Sequence, residues 1–539
     1  MSIEVVDTKL CNGCGTCVDS CPLDVIRLDT HVKEEDYPSC RLACPAGVDM
    51  RSYIYLLRNG MIEEAIDVLR EYLPFPAVTG RICPHPCESE CARKEVDEAV
   101  NINALERFTG DYWLKEKAQP IREIYGAKTA IIGSGPAGLS CAYFLCRMGY
   151  PVTVFESMPV LGGMLRTGIP DFRLPKDILD AQIGYIKDMG VEFKTSFTIG
   201  KDITLRELNK EYEAIFVAIG KQLSRKLELD GSNVDGVVWG VDFLRDSHIK
   251  KKPTVKEKVV VIGGGNVAID AALSALRLGA KDVQIACLEP DDKMPAFKEE
   301  IQQAKDEGIV IHTSWGPRKI QGNGKKVTGI ELVRCVRVLD EKGRFNPSFD
   351  DKVTKSIKAD MVILAIGQSA DLSSMPKNMK TTSANSIQAD PITLETSLSG
   401  VFAGGDAVAG TSVVEAIGAG KRAAISIDRY HKGEDMKVRR YRKPGRVKKP
   451  PKEGIEKVVR QQTMLLPAGD RSGTFEEVKL GLSEDSAYLE SQRCMTCGSR
   501  AIISYVDDCM LCLFCERDCP QKAIYVSPEK KILPLMAWG

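Results

Sequence analysis

Two cysteine runs with the same spacing stand at opposite ends of a 539-residue chain and limit its fold more than anything between them. The first, "CNGCGTCVDSCP", carries Cys11, Cys14, Cys17 and Cys21 before Pro22. The second, "CMLCLFCERDCP", carries Cys509, Cys512, Cys515 and Cys519 before Pro520. Thiols repeated every three or four residues bring several sulfurs within reach of one centre. Fifteen of the nineteen cysteines crowd toward the two ends, while Cys141, Cys146, Cys287 and Cys335 lie in the long middle and read as small buried hydrophobes. Such clustering favours metal over disulfides. The five histidines, none interleaved with a CxxC, leave little room for Cys/His zinc sites. Iron–sulfur chemistry leads, with a reducing, oxygen-poor cytoplasm as the expected location. The opening "MSIEVVDTKLC" shows no basic or apolar leader. No run approaches the ~20 apolar residues that cross a bilayer.

Each run, flanked by short strand-like segments such as "AIISYVDD" and "KAIYVSPEKKIL", resembles half of a bacterial ferredoxin. There the first three cysteines hold one 4Fe-4S cube and the fourth ligates the other. The resemblance implies a split ferredoxin. Cys11, Cys14, Cys17 and Cys519 would hold one cube, and Cys509, Cys512, Cys515 and Cys21 the other. Two separate single-cluster modules, or halves that pair with a partner subunit, remain open alternatives.

From Lys128 to about Tyr430 the texture changes to short β-rich runs, glycine turns and amphipathic helices, the alternation of an α/β fold with parallel sheets. Two copies of one device stand out. "KTAIIGSGPAGLSCAYFLCRMGYPVTVFES" reads as strand, Gly133-Ser-Gly135-Pro-Ala-Gly138, helix, and a second strand ending at Glu156. The glycines permit a tight turn and close approach to a pyrophosphate, the helix N-terminus offers N–H groups, and Glu156 can accept from a ribose hydroxyl. "KVVVIGGGNVAIDAALSALRLGAKDVQIACLEP" repeats the pattern with Gly263, Gly265 and Asn266. Its second strand ends at Leu288 and Glu289, where a carboxylate repels a 2′-phosphate and accepts from a 2′-hydroxyl. NADH is therefore expected over NADPH, with Lys281, Lys293 or Lys298 as the cations that could reverse the preference.

The segments "LGGMLRTGIPDFRLP" (161–175) and "TSLSGVFAGGDAVAGTSVVEAIGAGKRAA" (396–424) resemble the two-dinucleotide-domain flavoproteins, most closely the flavin-bearing small subunit of glutamate synthase and its relatives. The resemblance implies an NAD(P)H domain inserted in a split FAD domain, with Gly162, Gly163 and Arg173 at the cofactor. It puts Gly405 and Asp406 on the ribityl chain and a helix after Thr411 aimed at the flavin. It also identifies Cys40, Cys44, Cys83, Cys87 and Cys91 with a helical domain that holds two cubes. That domain's usual upstream "RCxxCG" is missing here, yet "ESQRCMTCG" with Cys494 and Cys497 occurs near the far end. The C-terminal segment is expected to return and supply this pair. The seven thiolates then leave one position for Glu106 of "NINALERF"; a single cube with spare thiols is the alternative. Eight terminal, seven inner and four mid-chain cysteines account for all nineteen.

The expected organisation is a ferredoxin-like half (1–30), a helical iron–sulfur domain (37–118), a first FAD part (122–255), an NAD(P)H domain (256–388) and a second FAD part (389–431). A basic linker and return segment (432–493) and a C-terminal cysteine pair with ferredoxin-like half (494–539) complete it. The basic tract reads as a solvated linker, and zero net charge argues against a nucleic-acid footprint. No dithiol CxxC occurs between residues 120 and 490, so electrons are expected to leave through clusters. The resemblance implies an oxidoreductase subunit passing electrons between NADH, FAD and up to four 4Fe-4S clusters, to or from a partner enzyme or ferredoxin in a hetero-oligomeric complex. Two cluster groups would permit bifurcation. A strict NADPH-using glutamate synthase small subunit is the alternative. No acid or base is expected, because hydride passes directly from nicotinamide to flavin.

Overall fold

Two five-stranded parallel sheets carry the middle of the chain in the computed structural model. The structure describes residues 2–527 except 7–10, 12–15, 24, 30–35, 250–252, 325, 411, 439, 441–444, 448–454, 499, 504–508, 510–511 and 520–521. Cys14 and Thr411 lie outside the described residues.

The first sheet runs Val401–Ala403, Ala214–Val217, Thr129–Ile132, Val152–Phe155, Glu192–Lys194. Its three central strands are buried at every residue, as strands covered by helices on both faces must be. A late strand pairs with early ones, so this domain is split along the chain. Helices Pro136–Arg147 and Val413–Lys432 pack on each other across it. A Cβ on Gly420 would collide with the Ala137 carbonyl, so this crossing needs glycine.

The second sheet runs Val310–Thr313, Asp282–Cys287, Lys258–Ile262, Met361–Leu364, Val237–Trp239. It moves a boundary. Val237–Trp239, expected in the first FAD part, pairs in parallel with Met361–Leu364 and belongs to the nucleotide sheet. A three-residue strand shows no period, and its partner lies far along the chain. A further antiparallel sheet, Trp315–Asn323, Lys326–Leu339 and Phe345–Lys358, packs beside this domain and projects from it. The α/β texture of the sequence did not announce it.

The helical domain owes its compact crossing to two more glycines. Helices Pro76–Ile82 and Ile102–Trp113 approach so closely that a Cβ on Gly80 would meet the Arg107 backbone and one on Gly110 the backbone of Ala77. The return segment then runs back across the molecule. Glu477 is held by Arg81 and Arg107, Val478 N–H donates to the Phe172 carbonyl, and helix Glu484–Gln492 packs on Met50–Arg58 and Ile102–Trp113.

The two chain ends meet. Ser2–Val6 pairs antiparallel with Ile524–Ser527, and Ile26–Asp29 with Arg500–Ile503. One small core joins both halves: Cys17, Val25 and Ile26 with Cys515, Cys519, Ala523 and Ile524. Among the described residues no helix is long and apolar enough to cross a membrane.

Candidate functional site

The first glycine turn closes on itself so tightly that side chains are excluded. Gly133 has φ +104°, and a Cβ there would lie 2.5 Å from the Ala218 carbonyl oxygen. A Cβ on Gly138 would strike the Gly133 carbonyl, which is the close helix–strand packing such a turn requires. Gly162 and Gly163 also have positive φ, and Gly163 lies against the Gly135 backbone. Together with Gly405, Asp406 and Ser412 from the second half of the domain, Gly133, Gly135 and Gly163 line a cavity of about 150 Å³. Burial raises the Asp406 carboxyl to about 6, against the pull of Lys221.

Two expected residues stand apart from that cavity. The buried Glu156 carboxylate accepts from the N–H of Ser134 (3.0 Å), its hydroxyl (2.6 Å) and Met158 N–H (2.8 Å), so it holds the glycine turn in shape from beneath. Arg173 lines neither nucleotide cleft: its guanidinium pairs with Asp270 at 2.6 Å and with Glu300, tying the flavin-side segment to the second domain. The sequence could show that Arg173 belongs to the segment, but not that two distant carboxylates would meet it.

The second turn opens on a much larger space. Gly263 has φ +142°, and a Cβ there would meet the Ala365 carbonyl. Gly265 caps helix Asn266–Arg277, and the Asn266 side-chain oxygen accepts from Phe297 N–H at 2.9 Å. A Cβ on Gly264 would lie 2.7 Å from a Glu289 carboxylate oxygen, so that carboxylate rests against the turn. Gly263, Gly265, Asn266 and Glu289 line one cleft of about 1130 Å³. Lys281 is engaged with Glu257 at the opposite end of the Asp282–Cys287 strand.

The inner thiols divide into two groups. Cys40, Cys91, Cys494 and Cys497 line a single cavity of about 30 Å³ beside Arg51 and Arg93. Burial pushes the Cys40 thiol well up, and the neighbouring Cys494, Cys497 and Cys91 push it further. Cys44, Cys83, Cys87 and Glu106 form the second group: burial raises all three thiols, the Glu106 charge raises them further, and Cys83 and Cys44 add to the effect at Cys87. Glu106 is buried, accepts a hydrogen bond from the Thr79 hydroxyl, and has its carboxyl raised to about 7 by desolvation. Among the described residues no three Cys, His, Asp or Glu side chains close tightly enough for a single metal ion. A 4Fe-4S cube presents four irons, each to its own ligand, so four groups set around a small cavity fit it better than a tight cluster does.

The terminal unit repeats this economy. Burial raises the Cys515 thiol to about 11, with Cys21, Cys512 and Cys509 nearby adding to the effect. Cys17 and Cys519 share its core, with Cys11 packed at the edge.

Sequence reasoning missed what holds the returning cysteine pair in place. Arg493, beside Cys494, is 1% exposed and donates to Asp97 (2.9 Å), Glu490 (2.7 Å) and the Glu98, Ala99 and Val458 carbonyls. The Arg93 guanidinium, with other donors, holds Asp97 well below the usual carboxylate range. The only signal was a positive charge directly preceding a CxxC.

Residues 127–423 match the family described as pyridine nucleotide-disulphide oxidoreductase. Residues 33–118 match dihydropyrimidine dehydrogenase domain II, 4Fe-4S cluster, and residues 4–27 match the 4Fe-4S binding domain. The chain is 37% identical over 495 residues to the NADP(+)-dependent formate dehydrogenase subunit beta of Moorella thermoacetica, covering 85% of this chain and 70% of that one. It is 32% identical over 421 residues to the glutamate synthase (NADPH) small chain of Escherichia coli K12, covering 72% and 88%. It is 36% identical over 409 residues to the NAD-dependent dihydropyrimidine dehydrogenase subunit PreT of Escherichia coli O157:H7, covering 73% and 91%. Two dinucleotide folds, grouped thiols and this breadth of match lead to one conclusion: the chain belongs to the pyridine nucleotide-disulphide oxidoreductase family, as an FAD and 4Fe-4S member related to the glutamate synthase small subunit.

Proposed function

We propose that this chain passes electrons between NADH, FAD and up to four 4Fe-4S clusters, to or from a low-potential partner subunit or ferredoxin in a hetero-oligomeric complex. One helix supports the reading most directly. Val413–Lys432 lines the flavin-side cavity with Val413 and Ala416, and its Gly418 lies so close to the Pro45 carbonyl that a Cβ would not fit. Pro45 follows Cys44, so a flavin cavity and a thiol group share one rigid element.

Bound FAD would supply two-electron chemistry toward the nicotinamide and one-electron chemistry toward the cubes. The residues orient and shield. Cys40, Cys91, Cys494 and Cys497 would hold one inner cube, and Cys44, Cys83, Cys87 and Glu106 the other. Cys11, Cys14, Cys17 and Cys519 would hold a third, and Cys509, Cys512, Cys515 and Cys21 a fourth. Thr79 fixes the Glu106 carboxylate toward its thiol neighbours. Glu289 favours NADH, since its carboxylate rests beside the turn where a 2′-hydroxyl would be received. Glu156 acts on the flavin by keeping its turn rigid, and Arg173 by fixing the two nucleotide domains against each other.

The coverage of the Escherichia coli glutamate synthase small chain favours a second reading, a strict synthase subunit. It calls for NADPH preference and copurification with a large amidotransferase. Anaerobic purification from the native host, with iron, sulfide, flavin and accompanying subunits quantified, followed by NADH and NADPH titration, separates the two. The proposal expects about four cubes per flavin and bleaching by NADH. Zinc in place of iron, or a flavin reduced by neither nucleotide, overturns it; faster reduction by NADPH overturns the NADH assignment alone.

A further inference from the structure

The cleft at the second glycine turn has a wall built by strands outside its parallel sheet. The antiparallel strand Phe345–Lys358 leaves the domain as an arm, paired with Lys326–Leu339 through Phe345 opposite Leu339 and Phe349 opposite Cys335. Alternate residues of a strand share a face. Phe345, Pro347 and Phe349 obey that rule, and all three line the same cleft as Gly263–Gly265 and Glu289. Phe345 is nevertheless 63% exposed and Phe349 39%. Large apolar rings open to solvent within a concave site signal a surface waiting for an apolar partner.

Position names that partner. A Cβ built on Gly316 would lie 2.5 Å from the Phe349 ring and 2.9 Å from the Leu288 side chain, so the glycine lets the phenyl ring settle beside the residue preceding Glu289. Trp315, next to Gly316, lines the cleft too. The platform thus stands at the carboxyl end of the Asp282–Cys287 strand, where a Rossmann unit receives the adenosine half of its nucleotide.

We propose that Phe349 and Phe345 line an adenine platform for the nicotinamide nucleotide, Phe349 stacking on the ring and Phe345, about 13 Å further along the same strand face, bounding its outer edge; the antiparallel arm supplies it, not the parallel sheet. The proposal rests on reading this cleft as the NAD(P)H site. Adenine is flat and aromatic, it is joined to the ribose that Glu289 receives, and the platform is continuous with the glycine turn that takes the pyrophosphate. Stacking on the platform orders the adenosine end while leaving the nicotinamide free to meet the flavin.

The test uses the complete holoprotein and the double variant F345A/F349A, with F345W/F349W as the conservative pair. NADH oxidation is compared with oxidation of reduced nicotinamide mononucleotide, which lacks adenosine, and with competitive inhibition by 5′-AMP. The double alanine variant is expected to raise the NADH KM and the 5′-AMP inhibition constant about tenfold, the size of one lost base stack. Its kcat and its reaction with the mononucleotide should stay within about twofold of wild type, and the tryptophan pair should restore the KM. Unchanged NADH KM and 5′-AMP inhibition, in a variant with full flavin content, overturn the platform alone. So does equal impairment of NADH and the mononucleotide, which marks a structural role. Loss of subunit association without a KM change overturns it in favour of a protein contact. A wild-type flavin that neither NADH nor NADPH reduces overturns the nucleotide reading and the platform with it.

Discussion

The two expected nucleotide sites are built from the same strand, turn and helix, yet one opens on a small space, the socket, and the other on a large cleft, the dock. Around Gly133–Gly138 the walls come from both halves of a split domain. Gly163 presses on Gly135, and Gly405, at φ +65°, would place a Cβ 2.9 Å from the Ala137 side chain. The space enclosed is about 150 Å³. Around Gly263–Gly265 the cleft is about 1130 Å³ and runs out toward an antiparallel arm. Both spaces lie between domains: Pro45, Pro84 and Pro86 of the helical domain and Ser412, Val414 and Glu415 also line the second cleft. What separates the two is volume, so equal turns open on unequal spaces.

The harshest way to test that contrast is to break each turn separately. Gly133→Ala forces a side chain into a left-handed φ and against the Ala218 carbonyl; Gly263→Ala does the same against Ala365. G133A is expected to purify without its yellow colour. G263A should keep flavin, reducible by dithionite, while NADH-driven reduction falls at least about a hundredfold. Absorbance near the flavin band with stopped-flow reduction decides the matter. If G263A also loses flavin, the sites are not independent.

Next in size is nucleotide choice, a property the dock should hold and the socket should not. Glu289→Arg exchanges a carboxylate beside Gly264 for a cation able to pair with a 2′-phosphate. The NADH-to-NADPH ratio of kcat/KM is expected to fall about a hundredfold with flavin content unchanged. An unaltered ratio would place the ribose elsewhere in the cleft.

These turns were legible because their chemistry is local. Glycine at a positive φ, a cap and an acid at a strand end are all visible within thirty or so residues. The cysteine runs were legible for the same reason, and Cys494–Cys497 could be sent back to the inner domain because a gap in one motif matched a surplus in another. What escaped was non-local. Arg173 belongs to a recognisable segment, but its partners Asp270 and Glu300 lie on helices of the other domain. Glu156 has the expected position, while its carboxylate is occupied by Ser134 and Met158. Val237–Trp239 joins a sheet only through a distant partner strand. The arm that carries Phe345 and Phe349 has no spacing that separates it from any other hairpin.

A subtler difference concerns what the socket costs the fold. Asp406 is mostly buried, and desolvation raises its carboxyl from 3.8 to about 6. The native state therefore keeps this proton where the unfolded chain has lost it, and stability falls as pH rises from about 4 to about 6. Above that window the ionised carboxylate costs about 2 kcal/mol after solvent screening. Asp406→Asn should stabilise the flavin-free protein by about that amount at pH 7 and leave it unchanged below pH 4, as read by urea unfolding. Flavin should bind the variant more weakly, because the carboxylate faces the cavity. Equal stabilisation at both pH values would show that the carboxyl's charge is not the cause.

The smallest expected effect isolates the ligand from the fold. Gly265 caps its helix at φ −92°, and a Cβ there meets nothing within 4 Å; Gly135, at φ −69°, is equally unobstructed. Neither glycine is needed by the polypeptide, in contrast to Gly133, Gly138 and Gly263. Each is expected to mark where backbone comes close to a pyrophosphate. Gly265→Ala should unfold within about 0.5 kcal/mol of wild type, since it introduces no strain and buries no polar group. Its NADH KM should rise about tenfold, because the added methyl stands between the helix N–H groups and the phosphates. Gly135→Ala should match it in apoprotein stability but lose affinity for flavin by a larger factor, since the smaller space leaves the cofactor less room to shift. Equal losses at the two sites would mean that the larger cleft holds its nucleotide as rigidly as the smaller space does, and that volume is not what separates them.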